Sequence, residues 1–379
     1  MSNISSDEKA TSPPASPDGA FTLEEILSQP TCWDASLQEL EDDGGLKTLA
    51  HQFSNPQAWI FIGCGSSFYV AQSAAATMTA LTGRRALAVP ASELLLFPEL
   101  VLSAEGPCVP VLISRSGRTS EVLKVAGFLR ERGIATLGVS CAPGQTLETL
   151  VSRAMVLPAA DEQSMVMTRS FTSMLMALQV LAATIAGNEE FLAAQRRLPA
   201  NAEQLLRTLP RRVQDFITTR TFADYVCLGQ GALYGIACEM ALKLTEMSVS
   251  YAQSFHTLEF RHGPKSIVSE ETLIAFLFSE TGYSEELEVL EEIKKLGGTT
   301  LVIANRADSR ARASADLLVE LGADGPEAVR LPLYLIAGQL MGLYTGLKKG
   351  LDPDKPRNLS RVVVLADEDS SERPEHAAI

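Results

Sequence analysis

The chain has 379 residues, enough for two domains of ordinary size, and its 46% hydrophobic and 21% charged residues support a buried core and exclude global disorder. Its 46 acidic against 32 basic side chains give a net charge of -14, which argues against a broad nucleic-acid surface while leaving room for a local anion pocket. Six scattered cysteines with no C-x-x-C pair fit a reducing cytoplasm, no membrane span is read, and four histidines without metal-type spacing predict neither a metal ion nor another cofactor.

In chain order, the first 20 residues carry three prolines and five serines without apolar periodicity, so disorder is expected over 1–21. The stretch 22–44 reads as helical, with Thr22 as cap, Glu25 at the third helical position, and Pro30 ending or redirecting the first segment. Strand-like runs then alternate with helical stretches: Trp59–Ile62, Val109–Ile113, Ile134–Val139, Tyr225–Leu228, Leu273–Phe278 and Thr300–Ile303. Such alternation predicts α/β architecture, parallel sheets covered by helices, with ligands at the loops that leave the strands. The segment FIGCGSSFYVAQSA at 61–74 aligns with CLGQGALYGIACEM at 227–240, and ISRSGRTSEVLKV from Ile113 with LFSETGYSEELEV from Leu277, allowing a one-residue slip. Two echoes at nearly one offset predict two related domains, 45–195 and 205–350, joined by the helical stretch Glu189–Arg212 and followed by a tail, 351–379, polar from Asp367 onward.

Two loops are candidate phosphate cradles. Gly63-Cys64-Gly65-Ser66-Ser67 joins a strand to a helix, and its glycines allow a tight turn beside hydroxyl and N–H donors. Phe68 stands where a third Rossmann glycine would be, and no acidic residue lies in the strand at 84–90, so nicotinamide binding is not expected. Ser114-Arg115-Ser116-Gly117-Arg118-Thr119-Ser120 offers several hydroxyls at a helix start and lacks the G-K-[ST] of a nucleotide loop. Each loop can also be a plain capping turn. Met165-Val166-Met167-Thr168-Arg169-Ser170 precedes a long apolar helix and can add a donor to the same anion, or be only a capped helix start.

Acid–base chemistry has two candidate places. Glu239, Lys243 and Glu246 are four and three apart, hence on one helix face among apolar neighbours, where a poorly solvated carboxylate gains a raised pKa; the alternative is a surface ion pair. His262, in Phe255–Lys265 with its Gly263-Pro264 break, is the best candidate to exchange a proton near neutrality, unless it only fastens a turn.

Together with Asp352-Pro-Asp-Lys-Pro-Arg-Asn-Leu359, these motifs in this order resemble the sugar isomerase (SIS) domain family over residues 22–366. They are most similar to the double-SIS isomerase module of glucosamine-6-phosphate synthase and to stand-alone amino-sugar-phosphate deaminases and ketose–aldose isomerases. The resemblance implies two tandem SIS domains, each a five-stranded parallel sheet flanked by helices, with the 351–366 tail ordered over the active site. It places substrate or phosphate contacts on Gly65, Ser66, Ser67, Ser114, Arg115, Ser116, Thr119, Met165, Met167, Glu239, Glu259 and Arg361. Glu246 matches the enediol-forming carboxylate and His262 the ring-opening histidine, with Lys243 nearby. It further implies a homodimer in which His262 is lent across the interface, a sugar phosphate as ligand, and neither nucleic acid nor membrane as partner. Two departures stand out. The stretch before the first domain is too short for the synthase's glutaminase domain, and Arg361 replaces a lysine; arginine keeps its charge and forms no imine. The expected reaction is isomerisation or deamination of an amino-sugar 6-phosphate; simple isomerisation and non-catalytic sugar-phosphate sensing are the rival readings.

Overall fold

Short Val-, Ile- and Leu-rich runs followed by longer helical stretches fold as parallel strands with helical crossovers, because the interior strands are covered on both faces. The computed structural model of the protein describes residues 17–42, 45–53, 56–102 and 107–363. Its first sheet contains β1 (Ala58–Gly63), β2 (Arg85–Pro90), β3 (Cys108–Ile113), β4 (Leu137–Ser140) and β5 (Arg153–Val156), in the order β2-β1-β3-β4-β5. Its second contains β6 (Asp224–Gly229), β7 (Tyr251–Phe255), β8 (Thr272–Leu277), β9 (Thr299–Ala304) and β10 (Leu317–Glu320), in the order β10-β9-β8-β6-β7. All pairings are parallel. Counted from its β7 edge, the second sheet repeats the strand order of the first, as the internal echo predicts. The repeat extends to the backbone: Gly65 and Gly231, at equivalent turns, have φ of 54° and 53°. The loop after β8 is one residue shorter than that after β3, which is the slip the second echo needed.

The strand expected over Ile134–Val139 begins only at Leu137. The Ile134 amide is used instead on Leu129 O, closing the preceding helix through Gly133 in the left-handed region. The first helix spans Ala20–Leu27, ahead of its expected start, and Gly19 is its N-cap with φ 70°. Thr22 is therefore not the cap. It lies inside the helix, and its N–H and Oγ1 both donate to Asp354 Oδ1 at 2.7 Å, which fastens the N-terminal helix to the tail. The helix redirects at Ser28, and Pro30 falls in the first turn of the next helix, Gln29–Asp42, where a missing N–H costs nothing. Residues 1–16 and 364–379, which include most of the stretch expected to be disordered, lie outside the described residues.

The two halves meet helix to helix. A Cβ added at Gly235 would stand 2.4 Å from Ser73 Oγ and 2.7 Å from Tyr69 O, so the helices Ser66–Thr82 and Leu233–Ser248 approach at backbone distance. Ser73 Oγ seals the contact by donating to Ala232 O at 2.8 Å. On its other side, Leu233–Ser248 packs on Leu331–Lys348 through Gly338 and Gly342, where a Cβ would collide with Met240, Met247 and Lys243 O. These contacts bury the middle of Leu233–Ser248 on two sides, and Lys243 and Glu239 with it. Arg169–Ala186 is, among the described residues, the one helix long and apolar enough to cross a membrane, but most of it is buried within the fold as a core helix.

Candidate active site

Both candidate cradles follow strands of the first sheet. After β1, Gly65 turns the chain so that Ser66 and Ser67 open a helix, both buried. Ser67 N donates to Cys64 O, and Ser66 Oγ donates to Glu239 Oε1 at 3.0 Å, a bond from the first half to the second. After β3, Ser114 Oγ and Thr119 Oγ1 lie 2.9 Å apart at the mouth of the helix Ser120–Glu131. Thr119 is the N-cap residue, yet its hydroxyl makes no cap bond, so the plain capping reading does not describe it. Ser116 Oγ accepts from Arg118 N at 3.2 Å, which shapes the loop. The equivalent loop of the second half is different. There Ser279 N and Oγ donate to buried Glu286 at 2.7 and 3.0 Å, and Glu280 N donates to Glu327.

Arg115, expected among the phosphate contacts, is buried and directed elsewhere. It donates from Nη1 to Glu162 Oε2 (3.4 Å), Ser164 O (3.5 Å) and Val166 O (3.2 Å), and from Nη2 to Met165 O (3.0 Å) and Arg361 O (3.1 Å). Two buried carboxylates hold the same segment. Glu162 accepts from Thr168 N and Oγ1 at 2.6 and 2.7 Å and from Ser170 N and Oγ, which caps the helix Arg169–Ala186. Glu25 accepts from Gln163 N at 2.5 Å and from Ser164 N and Oγ, so it reaches across the fold instead of closing a box with Thr22. Burial, and then the neighbouring Glu162, raise its pKa above the usual carboxylate value. Met167 is buried and Met165 half-buried, its amide donating to Asp354 O at 3.3 Å.

The carboxylate face of Leu233–Ser248 is not a surface pair. Lys243 and Glu239 are fully buried, Lys243 Nζ stands 3.2 Å from Glu239 Oε1, and it also pairs with the partly exposed Glu246 Oε2. Burial pushes Glu239 up to about 8; Lys243 opposes this and Glu246 reinforces it. For Lys243, burial disfavours the charged form, but the two carboxylates outweigh it and hold its pKa above the usual value. Tyr69, from the first half, is raised by burial and then by Cys238, Glu239 and Glu246, which places it beside this cluster. Glu246 opens on a cavity of about 180 Å³ that it lines with Val249, Asp352, Lys355 and Arg357. The tail is thus one wall of the Glu246 cavity, and the whole series Ser66, Glu239, Lys243, Glu246 runs from a loop of the first sheet to that wall.

His262 and Glu259 are exposed, on the loop that follows β7, and among the described residues no hydrogen bond or ion pair joins the His262 side chain to Glu246. Gly263, with φ 120°, shapes this loop, and His256 stacks on Tyr234 at 3.8 Å. Arg361 lies at the surface beside the other loop, donating to Asp161 Oδ1 at 2.8 Å and to Glu162 O. A larger cavity, about 650 Å³, lies among Leu40, Leu46, Val180 and Leu192 and contains none of the predicted site residues. Among the described residues no three His, Cys, Asp or Glu side chains gather as metal ligands would.

The SIS domain family model matches twice, at residues 52–184 and 225–342, once over each sheet. The chain belongs to the SIS domain family. It is a double-SIS protein, and its two matched halves are the two sheets with their helices. Among solved structures, the SIS chain is similar to glucosamine-6-phosphate deaminase of Thermotoga maritima, 26% identical, over 91% of this chain and 100% of that one, with a TM-score of 0.77. Tagatose-6-phosphate ketose/aldose isomerase of Escherichia coli shares the fold, with a TM-score of 0.80 over 97% of this chain and 100% of that one at 22% identity. Among curated relatives, glutamine–fructose-6-phosphate aminotransferase (isomerizing) of Pyrobaculum aerophilum is 27% identical over 91% of this chain and 57% of its own length. The chain therefore spans well under two thirds of that relative.

Sequence reasoning missed three parts of this site: the Ser66–Glu239 bond between halves, the Glu25 and Glu162 supports, and Tyr69. Glu25 was legible in principle, since it shares a helix face with Thr22 and Ile26, both buried. The Ser66 bond carried no local signal, because its partners are 173 residues apart.

Proposed function

We propose that the chain is a phosphosugar aldose–ketose isomerase or deaminase acting on an amino-sugar 6-phosphate. The observation that carries this reading is the series Ser66, Glu239, Lys243, Glu246, buried up to its last member, which connects the hydroxyl loop after β1 in one half to a carboxylate at the edge of a tail-lined cavity in the other. Similarity to a glucosamine-6-phosphate deaminase supports the amino-sugar class.

In this reading Ser67, Ser114, Ser116 and Thr119 hold the phosphate with their hydroxyls and the amides of two helix starts. His262, from the neighbouring copy of a homodimer, donates and accepts the protons that open the ring. Glu246 removes the C2 proton of the open aldose, and the electron pair forms the C1–C2 double bond while the C1 carbonyl oxygen gains a proton. Return of a proton to C1, with loss of the proton on the C2 oxygen, gives a ketose. Where C2 bears nitrogen, the enolamine becomes a C2 imine, and addition of water releases ammonia and leaves the ketose phosphate. Lys243 keeps Glu246 oriented, and a protonated Glu239 leaves the Lys243 charge to Glu246.

Incubating the protein with glucosamine 6-phosphate and related amino-sugar phosphates tests the reading. Ammonia release with solvent exchange at C2 is expected; neither from any of them would overturn it. Glu246→Gln is expected to lower turnover by about 10²–10⁴-fold while phosphate binding is retained. Turnover close to the wild-type level would place the base elsewhere.

A further inference from the structure

Arg115 sits between two of the hydroxyls proposed to hold phosphate, yet its guanidinium faces the protein. The five acceptors it reaches come from Glu162, the carbonyls of 164–166, and Arg361 in the tail. Its charge is already answered by Glu162, which is itself fully buried. The tail returns the contact: the Arg361 side chain donates to Glu162 O and Asp161 Oδ1, and Ser120 N, at the end of the loop, donates to Val363 O at 3.3 Å.

We propose that Arg115 is a positioning residue and not a phosphate ligand: it ties the Ser114–Thr119 loop to the 162–166 segment and to the tail at Arg361, so that filling the loop with phosphate and ordering those two segments are thermodynamically linked. The proposal rests on the reading of that loop as the phosphate site. A planar fork of five N–H donors can serve acceptors from two chain segments at once in fixed geometry, which a lysine ammonium cannot. Linkage of this kind is reciprocal, since whatever phosphate does for the tail the docked tail does for phosphate. The two methionine positions expected near substrate, Met165 and Met167, lie in or beside the clamped segment, so Arg115 also sets where that wall stands.

The test is amide hydrogen exchange on the full chain with and without inorganic phosphate, together with phosphate affinity by calorimetry, for wild type and Arg115→Gln. In wild type, phosphate should slow exchange across 162–168 and 358–363. In the variant, affinity should stay within about threefold while the phosphate-dependent protection of both segments disappears. A loss of affinity of about tenfold or more would make Arg115 a ligand and overturn the proposal, as would protection that survives in the variant. Phosphate binding to wild type without protection of the two segments overturns the linkage but leaves the phosphate site standing; absence of phosphate binding overturns both. Should Arg115→Gln fail to fold, Arg115→Lys, which keeps the charge and loses the fork, is read by the same criteria.

Discussion

Glu239 carries two unequal oxygens. Oε1 accepts from Ser66 and faces Lys243, whereas Oε2 is buried with no hydrogen-bond partner among the described residues, a place where a proton is cheaper than a bare charge. With the folded pKa raised from the ordinary 4.5 to about 8, the folded state keeps a proton that the unfolded chain releases between those values. This contribution to stability is therefore complete below about pH 4.5 and declines as pH rises toward 8, at no more than about 1.4 kcal/mol per pH unit. Glu239→Gln, which fixes the neutral form, should flatten the fall in unfolding free energy between pH 5 and 8, measured by urea titration at several pH values. An unchanged slope would mean that Glu239 is ionised throughout. Glu286, pushed up to about 7 by burial, adds to the same decline, so the variant removes only part of it. The 239, 243, 246 spacing was legible in the sequence, but its burial was not. An i,i+4 Glu–Lys pair reads equally as a surface pair, and what decides is Gly338 and Gly342 on a helix about a hundred residues further along the chain.

Among the elements, the helix Leu233–Ser248 ends on Val249, a β-branched residue in the left-handed region with φ 48° and ψ 42°, where glycine is usual. Its side chain is 55% exposed, so little packing is lost by removing it. Val249→Gly is expected to stabilise the fold by about 1 kcal/mol, read as a higher thermal midpoint or urea midpoint. No gain would mean that the exposed side chain contributes as much as the backbone strain costs. The sequence displayed the interior strands clearly, since β1, β3, β6, β8 and β9 are continuous apolar runs. It displayed β5, β7 and β10 poorly. β5 and β10 have four residues each, β7 is half-exposed along its length, and all three lie at sheet edges where one neighbour is missing.

For the molecule as a whole, the doubling was legible because equivalent turns need the same glycines, whereas contacts between the halves are set by side chains far apart in sequence. His262 makes no hydrogen bond or ion pair with Glu246 among the described residues, and the resemblance to the family has it lent by a neighbouring copy, which bears on assembly. If His262 completes a neighbour's site, mixing the inactive variants Glu246→Gln and His262→Asn should restore activity, to roughly a quarter of wild type for random exchange of dimer subunits. No recovery on mixing, with subunit exchange verified, would place His262 in its own chain's site or outside the reaction.

Glu286 gives the doubled architecture its asymmetry. By seating a carboxylate of its own on the amide and hydroxyl of Ser279, the second half fills from within the loop that corresponds to the first half's Ser114–Thr119 turn. Under the proposed function the two copies are no longer interchangeable: one anchors, the other moves protons, and damage to either goes uncompensated.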